Sequence, residues 1–160
     1  MRKTLVKALE GLVRKDRRVL ILVNDIGALM FDEFRLQFPD QFINCGIAEQ
    51  NMIGVAAGLA LSGKIPFIYG VVPFVLMRPF EQIRNDIVMQ RANVKIIGTG
   101  SEENYAHLGP THYAVNNEDV KICQILDALI LLPEKAEDVS ECVLEAYNHT
   151  GLVYIKLWKN

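Results

Sequence analysis

Apolar residues recur along this chain in two alternating patterns, helical stripes and short unbroken runs. Over residues 4–15, Leu5, Ala8, Leu9, Leu12 and Val13 fall at helical spacing with basic residues between them, which predicts an amphipathic helix. Residues 18–23 form a short apolar run suited to a strand buried on both faces, ended by the polar turn Asn24-Asp25-Ile26-Gly27. A short amphipathic piece over 31–38 stops at Pro39, and 41–44 reads as a second strand. Residues 47–61 predict a helix rich in Ala and Gly, closed by Ser62-Gly63, and 65–69 a third strand. The alternation continues with a helix over 81–92, a strand over 94–98, a long loop over 100–115 and a helix over 119–126. A strand at 129–132 ended by Pro133, a helix marked by Val139, Cys142, Val143, Ala146 and Tyr147, and a strand over 152–158 complete it.

Six apolar strands interleaved with helices predict one doubly wound α/β domain over residues 1–160, with a mostly parallel sheet of about six strands covered on both faces. No internal repeat or linker divides it. In such sheets function gathers at the carboxyl ends of the strands, here 24–29, 44–49, 70–74, 99–112 and Lys159.

Composition narrows the function classes. With 17 basic and 19 acidic side chains in 160 residues, the chain has no basic field for a nucleic-acid backbone. No apolar run reaches the roughly 18 residues of a membrane helix. The N-terminus leads straight into the charged first helix, so no secretory signal is expected there. Cys45, Cys123 and Cys142 are odd in number and lack metal spacing, which predicts reduced thiols in a cytoplasmic protein. A mean hydropathy of +0.17 hints at extra burial in a subunit interface.

Residues 42–60 carry the most chemical information: a strand, the turn Asn44-Cys45-Gly46, and a helix whose first turn holds Glu49. By spacing alone Glu49 is an acid complementing the helix dipole. Gly54, Ala56, Ala57 and Gly58 leave that helix little bulk, permitting close approach to the sheet or to another subunit. The segment Gly46-Ile47-Ala48-Glu49-Gln50-Asn51-Met52 resembles the pyrimidine-binding domain of transketolases and deoxyxylulose phosphate synthases. The likeness continues through Gly58-Leu59-Ala60, Gly63-Lys64-Ile65-Pro66-Phe67 and Arg78-Pro79-Phe80-Glu81-Gln82-Ile83-Arg84-Asn85-Asp86. It ends with Asn93-Val94-Lys95-Ile96, Gly109-Pro110-Thr111-His112 and Val153-Tyr154-Ile155-Lys156-Leu157, covering nearly the whole chain in order.

The resemblance implies a thiamine diphosphate-dependent transketolase-like activity, moving a two-carbon ketol unit between sugars. It implies that Glu49 hydrogen-bonds ring nitrogen N1′ of the aminopyrimidine, favouring the tautomer that deprotonates the thiazolium. Phe74 falls where the family places an aromatic ring on the pyrimidine, with Val71 and Met77 at neighbouring aromatic positions; unaided, Phe74 reads as a core residue. Asp25 matches an acid near the pyrimidine, or is simply a turn former. His112 and Lys159 match substrate-facing positions, Lys159 as a looser phosphate grip than arginine. Leu108, Gly100 and Leu29 stand where the family has polar substrate contacts, which puts the usual sugar phosphate in question. The family's Gly-Asp-Gly…Asn motif for Mg²⁺ and diphosphate does not occur here. The expectation is therefore a partner subunit or domain that holds Mg²⁺, a homo- or hetero-oligomer such as a dimer, and no activity alone. The alternatives are a non-catalytic pyrimidine module kept for assembly or regulation, part of a deoxyxylulose phosphate synthase-like enzyme, or a flavodoxin-like nucleotide binder, which would lack its usual glycine-rich loop.

Overall fold

The computed structural model describes residues 1–100 and 105–158. Six strands form one sheet: β1 (Val19–Val23), β2 (Phe42–Asn44), β3 (Ile65–Val71), β4 (Lys95–Thr99), β5 (Leu129–Leu131) and β6 (Val153–Leu157). Their spatial order is β2-β1-β3-β4-β6-β5, and every pairing is parallel. The order reverses between β1 and β3, so the crossovers run outward in both directions from the centre. This is the doubly wound α/β fold expected from the alternating pattern.

Because successive strand residues point to opposite faces, the sheet builds two cores. On one face Ile21, Phe67, Ile97 and Ile155 pack against α1 (Arg2–Lys15), through Leu5, Leu9 and Val13, and against α6 (Asp138–Asn148), through Val139, Val143 and Ala146. On the other, Leu22, Ile68 and Ile96 meet Met52, Ile53, Ala56 and Ala57 of α3 (Glu49–Leu61). Each such Leu or Ile contributes about 1.5–3 kcal/mol of burial. Of the four small residues of α3, Ala56 and Ala57 face this core, whereas Gly54 and Gly58 lie on the exposed face. A short helix, α2 (Asp32–Gln37), follows β1 and precedes the turn at Pro39.

The segment after β3 departs from the simple helix expected at 81–92. A π-helical turn spans Pro73–Met77, a short α4 covers Phe80–Gln82, and a second π-helical stretch covers Ile83–Val88. Proline has no N–H to donate, so Pro73 and Pro79 interrupt the ordinary ladder. The ladder shifts by one residue, with Arg78 N–H donating to the Pro73 carbonyl at 3.2 Å. Within the expected loop, tight turns occupy Ala106–Leu108 and Pro110–His112.

The remaining helix, α5 (Glu118–Ile125), is locked to β6 by buried polar groups. Tyr154 Oη donates to Asp119 Oδ2 at 2.7 Å, and Lys156 Nζ lies 3.1 Å from Oδ1 and 3.0 Å from Oδ2. Burial and the adjacent Asp119 carboxylate hold the Tyr154 phenol well above its usual range. All three cysteines are free thiols, and burial pushes Cys123 up to about 12. No helix among the described residues is long and apolar enough to cross a membrane.

Candidate functional site

Three strand ends converge at the carboxyl edge of the sheet. β2 ends at Asn44, whose Oδ1 accepts from the N–H groups of Gly46 and Asp25, each at 3.0 Å. This turn, with Gly46 at φ 70°, delivers the chain into α3 at Glu49. A carboxylate there is favoured by the unpaired N–H groups of the first helical turn. Glu49 is only 6% exposed, and its buried charge is balanced by two donors. Asn24 Nδ2 at the end of β1 and Arg78 Nη1 each lie 2.9 Å from Oε1. No described residue is hydrogen-bonded to Oε2.

Asn24 reaches Glu49 because Gly70, opposite it on β3, has no side chain. A Cβ at Gly70 would come within 2.8 Å of Asn24 Oδ1. That oxygen is buried without a hydrogen-bond partner among the described residues, a cost of about 1–3 kcal/mol. Arg78 arrives from the π-helical turn, where four-residue spacing sets it over Phe74. Its guanidinium carbon sits 3.8 Å from the centroid of the Phe74 ring. The far side of the group is closed by His112, whose ring meets Phe74 edge-on with centroids 5.2 Å apart. His112 Nδ1 and Thr111 Oγ1 lie 2.9 Å apart. Beside Glu49 opens a cleft of about 410 Å³ lined by Ile47, Ala48, Glu49, Gln50, Asn51 and Arg78.

The structure thus joins three of the residues singled out by sequence, Glu49, Phe74 and His112, through Arg78. The others lie elsewhere. Asp25 Oδ1 accepts from Asn44 Nδ2 at 3.1 Å, and Asp25 lines a separate cavity with Gly27, Phe31 and Arg35. With φ at 58° its side chain turns away from Glu49, and its neighbour Asn24 takes that direction instead. Val71 is buried at the end of β3 and Met77 packs partly into the second core, neither lining the cleft. Lys159 lies outside the described residues. At the same edge Leu29 is 90% exposed and Leu108 is exposed, while Gly100 is buried. Sequence reasoning does not single out Asn24 or Arg78. Their signals are a polar residue ending a buried strand and a four-residue spacing from Phe74. No group of three His, Cys, Asp or Glu side chains suited to a metal ion occurs among the described residues.

Comparison with known proteins agrees with this geometry. The family profile described as "Transketolase, pyrimidine binding domain" matches residues 1–160. The chain is 32% identical over 158 residues to a subunit of the apulose-4-phosphate transketolase of Phocaeicola vulgatus, covering 98% of this chain and 50% of that protein. It is 35% identical over 125 residues to the apulose-4-phosphate transketolase subunit of the same designation from Actinobacillus succinogenes, covering 78% of this chain and 40% of that one. Among solved structures, "Split gene transketolase, inactive beta4 tetramer" superimposes with a TM-score of 0.87 at 35% identity, over 99% of this chain and 50% of that one. The chain therefore spans about half the length of these relatives or less. It belongs to the transketolase pyrimidine-binding domain family.

Proposed function

We propose that this chain supplies the pyrimidine half of a thiamine diphosphate site in a transketolase-like enzyme that moves a two-carbon ketol unit between sugars. The observation that carries this reading is Glu49. It is a buried carboxylate at a helix start, beside a cleft, with one oxygen accepting two hydrogen bonds and the other none from the described residues. When bound, the cofactor supplies the electron sink for ketol transfer. The residues present fit its aminopyrimidine. Glu49 would accept the hydrogen bond from ring nitrogen N1′, Asn24 fixes the carboxylate, and the face of Phe74 offers a stacking surface. His112, edge-on to Phe74, faces the substrate, with Lys159 assigned to the same task.

A partner chain or domain would hold Mg²⁺ and the diphosphate and complete the oligomer. Support comes from the relatives that are single subunits of transketolases and from a solved relative described as an inactive tetramer of β chains. Three free thiols fit the cytoplasm. The exposed Leu29 and Leu108 support a second reading, a non-catalytic module kept for assembly.

Co-expression with a diphosphate-domain subunit separates the two. Calorimetry should show Mg²⁺-dependent binding of thiamine diphosphate by the complex, and NMR should show exchange of its C2 proton. Glu49→Gln should abolish exchange while circular dichroism stays unchanged. Undiminished exchange in Glu49→Gln would overturn the glutamate's role, and an absence of exchange in the wild-type complex would favour the non-catalytic module.

A further inference from the structure

An arginine stacked on an aromatic ring is flat, delocalised and rich in N–H donors. In this chain such a group makes two contacts at once: its face lies on Phe74 at 3.8 Å and its Nη1 donates to Glu49 at 2.9 Å. The pyrimidine site proposed above asks the same two contacts of its ligand, a ring face on Phe74 and an N–H toward Glu49. Resting on that reading, we propose that Arg78 stands in for the aminopyrimidine in the chain alone, so that ring entry exchanges one flat N–H donor for another.

The surroundings of Arg78 suit an exchange. Its side chain is 48% exposed, so it can swing into solvent without opening either core. Its backbone is held by the Arg78 N–H bond to Pro73 and by Gln50 Nε2, which donates to the Arg78 carbonyl at 3.3 Å. Only the side chain has to move. Asn24 stays behind, because its amide is buried and wedged against Gly70. Until a ring arrives, Arg78 compensates a buried carboxylate that would otherwise be costly. The site therefore selects planar ligands that present an N–H in the plane of the ring, and it excludes saturated rings, which offer no stacking face.

The probe is 4-amino-5-(hydroxymethyl)-2-methylpyrimidine, titrated into the ¹⁵N-labelled chain. In the wild type, the Arg78 Nε–H resonance should start shifted by the Phe74 ring and move to the free-arginine position as the probe fills the site. Removing the competitor in Arg78→Ala should tighten probe binding roughly tenfold, the combined worth of a cation–π contact and a half-exposed ion pair. Arg78→Lys, which keeps the charge but loses the flat face, should fall between them. Equal or weaker binding by Arg78→Ala, an unmoved Arg78 resonance, or no binding by any variant would overturn the exchange. Adding Glu49→Gln to Arg78→Ala separates this from the functional reading. Lost binding supports both, whereas retained binding sinks the glutamate's role and leaves the exchange standing.

Discussion

Two buried carboxylates, Glu49 and Asp119, are each matched by one cation and one neutral donor, yet they are built for opposite ends. Asp119 is fully buried and its cation, Lys156, is 3% exposed. Both of its oxygens are occupied, one by Lys156 alone and one shared by Lys156 and Tyr154. Lys156 is fixed further by Asn117 Oδ1 at 3.1 Å and by the Trp158 ring, 4.7 Å from its Nζ. Glu49 has both donors on one oxygen, and its cation is half in water. Similar charges in similar burial thus give a clamp when every oxygen is taken and the cation sealed in. They give a receptive site when one oxygen stays open and the cation can leave.

The clamp supplies the largest expected effect. Asp119→Ala leaves Lys156 buried without its counter-ion and should cost about 3–5 kcal/mol in urea unfolding. The double variant Asp119→Leu/Lys156→Met removes both charges and should recover most of that loss. If Asp119→Ala were as mild as a surface substitution, the contrast between a sealed and an open network would fail.

Asn24 tests the other member. Asn24→Ala removes a buried donor to a carboxylate but also removes an unpaired oxygen, so the net cost should be about 1–2 kcal/mol. Pyrimidine binding should weaken more than stability does, because Glu49 loses its fixed donor and keeps only the exchangeable one. A stability loss matching that of Asp119→Ala, with ring binding unchanged, would make Asn24 a structural residue and nothing more.

The sheet is legible in the sequence because strands buried on both faces write unbroken apolar runs, as at β1 and β3, and helices between them write stripes. The π-helical turn at Pro73–Met77 is not, since apolar residues there pack inward at spacings that also suit a strand continuing from β3. Glu49, Phe74 and His112 are legible through family motifs rather than physics, as each has an ordinary structural reading on spacing alone. Asp25, the more chemically suggestive neighbour, conceals Asn24. The left-handed backbone at Asp25 decides which side chain turns inward, and one residue of strand twist is not written in composition. Arg78 lies inside a motif that matches as a whole, and only coordinates show its stacking on Phe74.

A third carboxylate, Asp16, calibrates both networks from the surface and carries the smallest effect. The Arg18 guanidinium, 2.8 Å away, holds the Asp16 carboxyl well below the usual range; the Arg18 N–H and Tyr147 Oη assist, and burial opposes. A carboxyl with a depressed folded value stabilises the protein above its unfolded value, about 4. That contribution disappears as pH falls through the folded value. Asp16→Asn should therefore lower the urea midpoint slightly at neutral pH, and the gap to wild type should close progressively as the solution is acidified. A gap independent of pH would assign the loss to packing against Tyr147 rather than to charge. The same titration applied to Asp119→Ala should not close in this way at mild acidity, because there the cost comes from a stranded lysine that remains charged throughout.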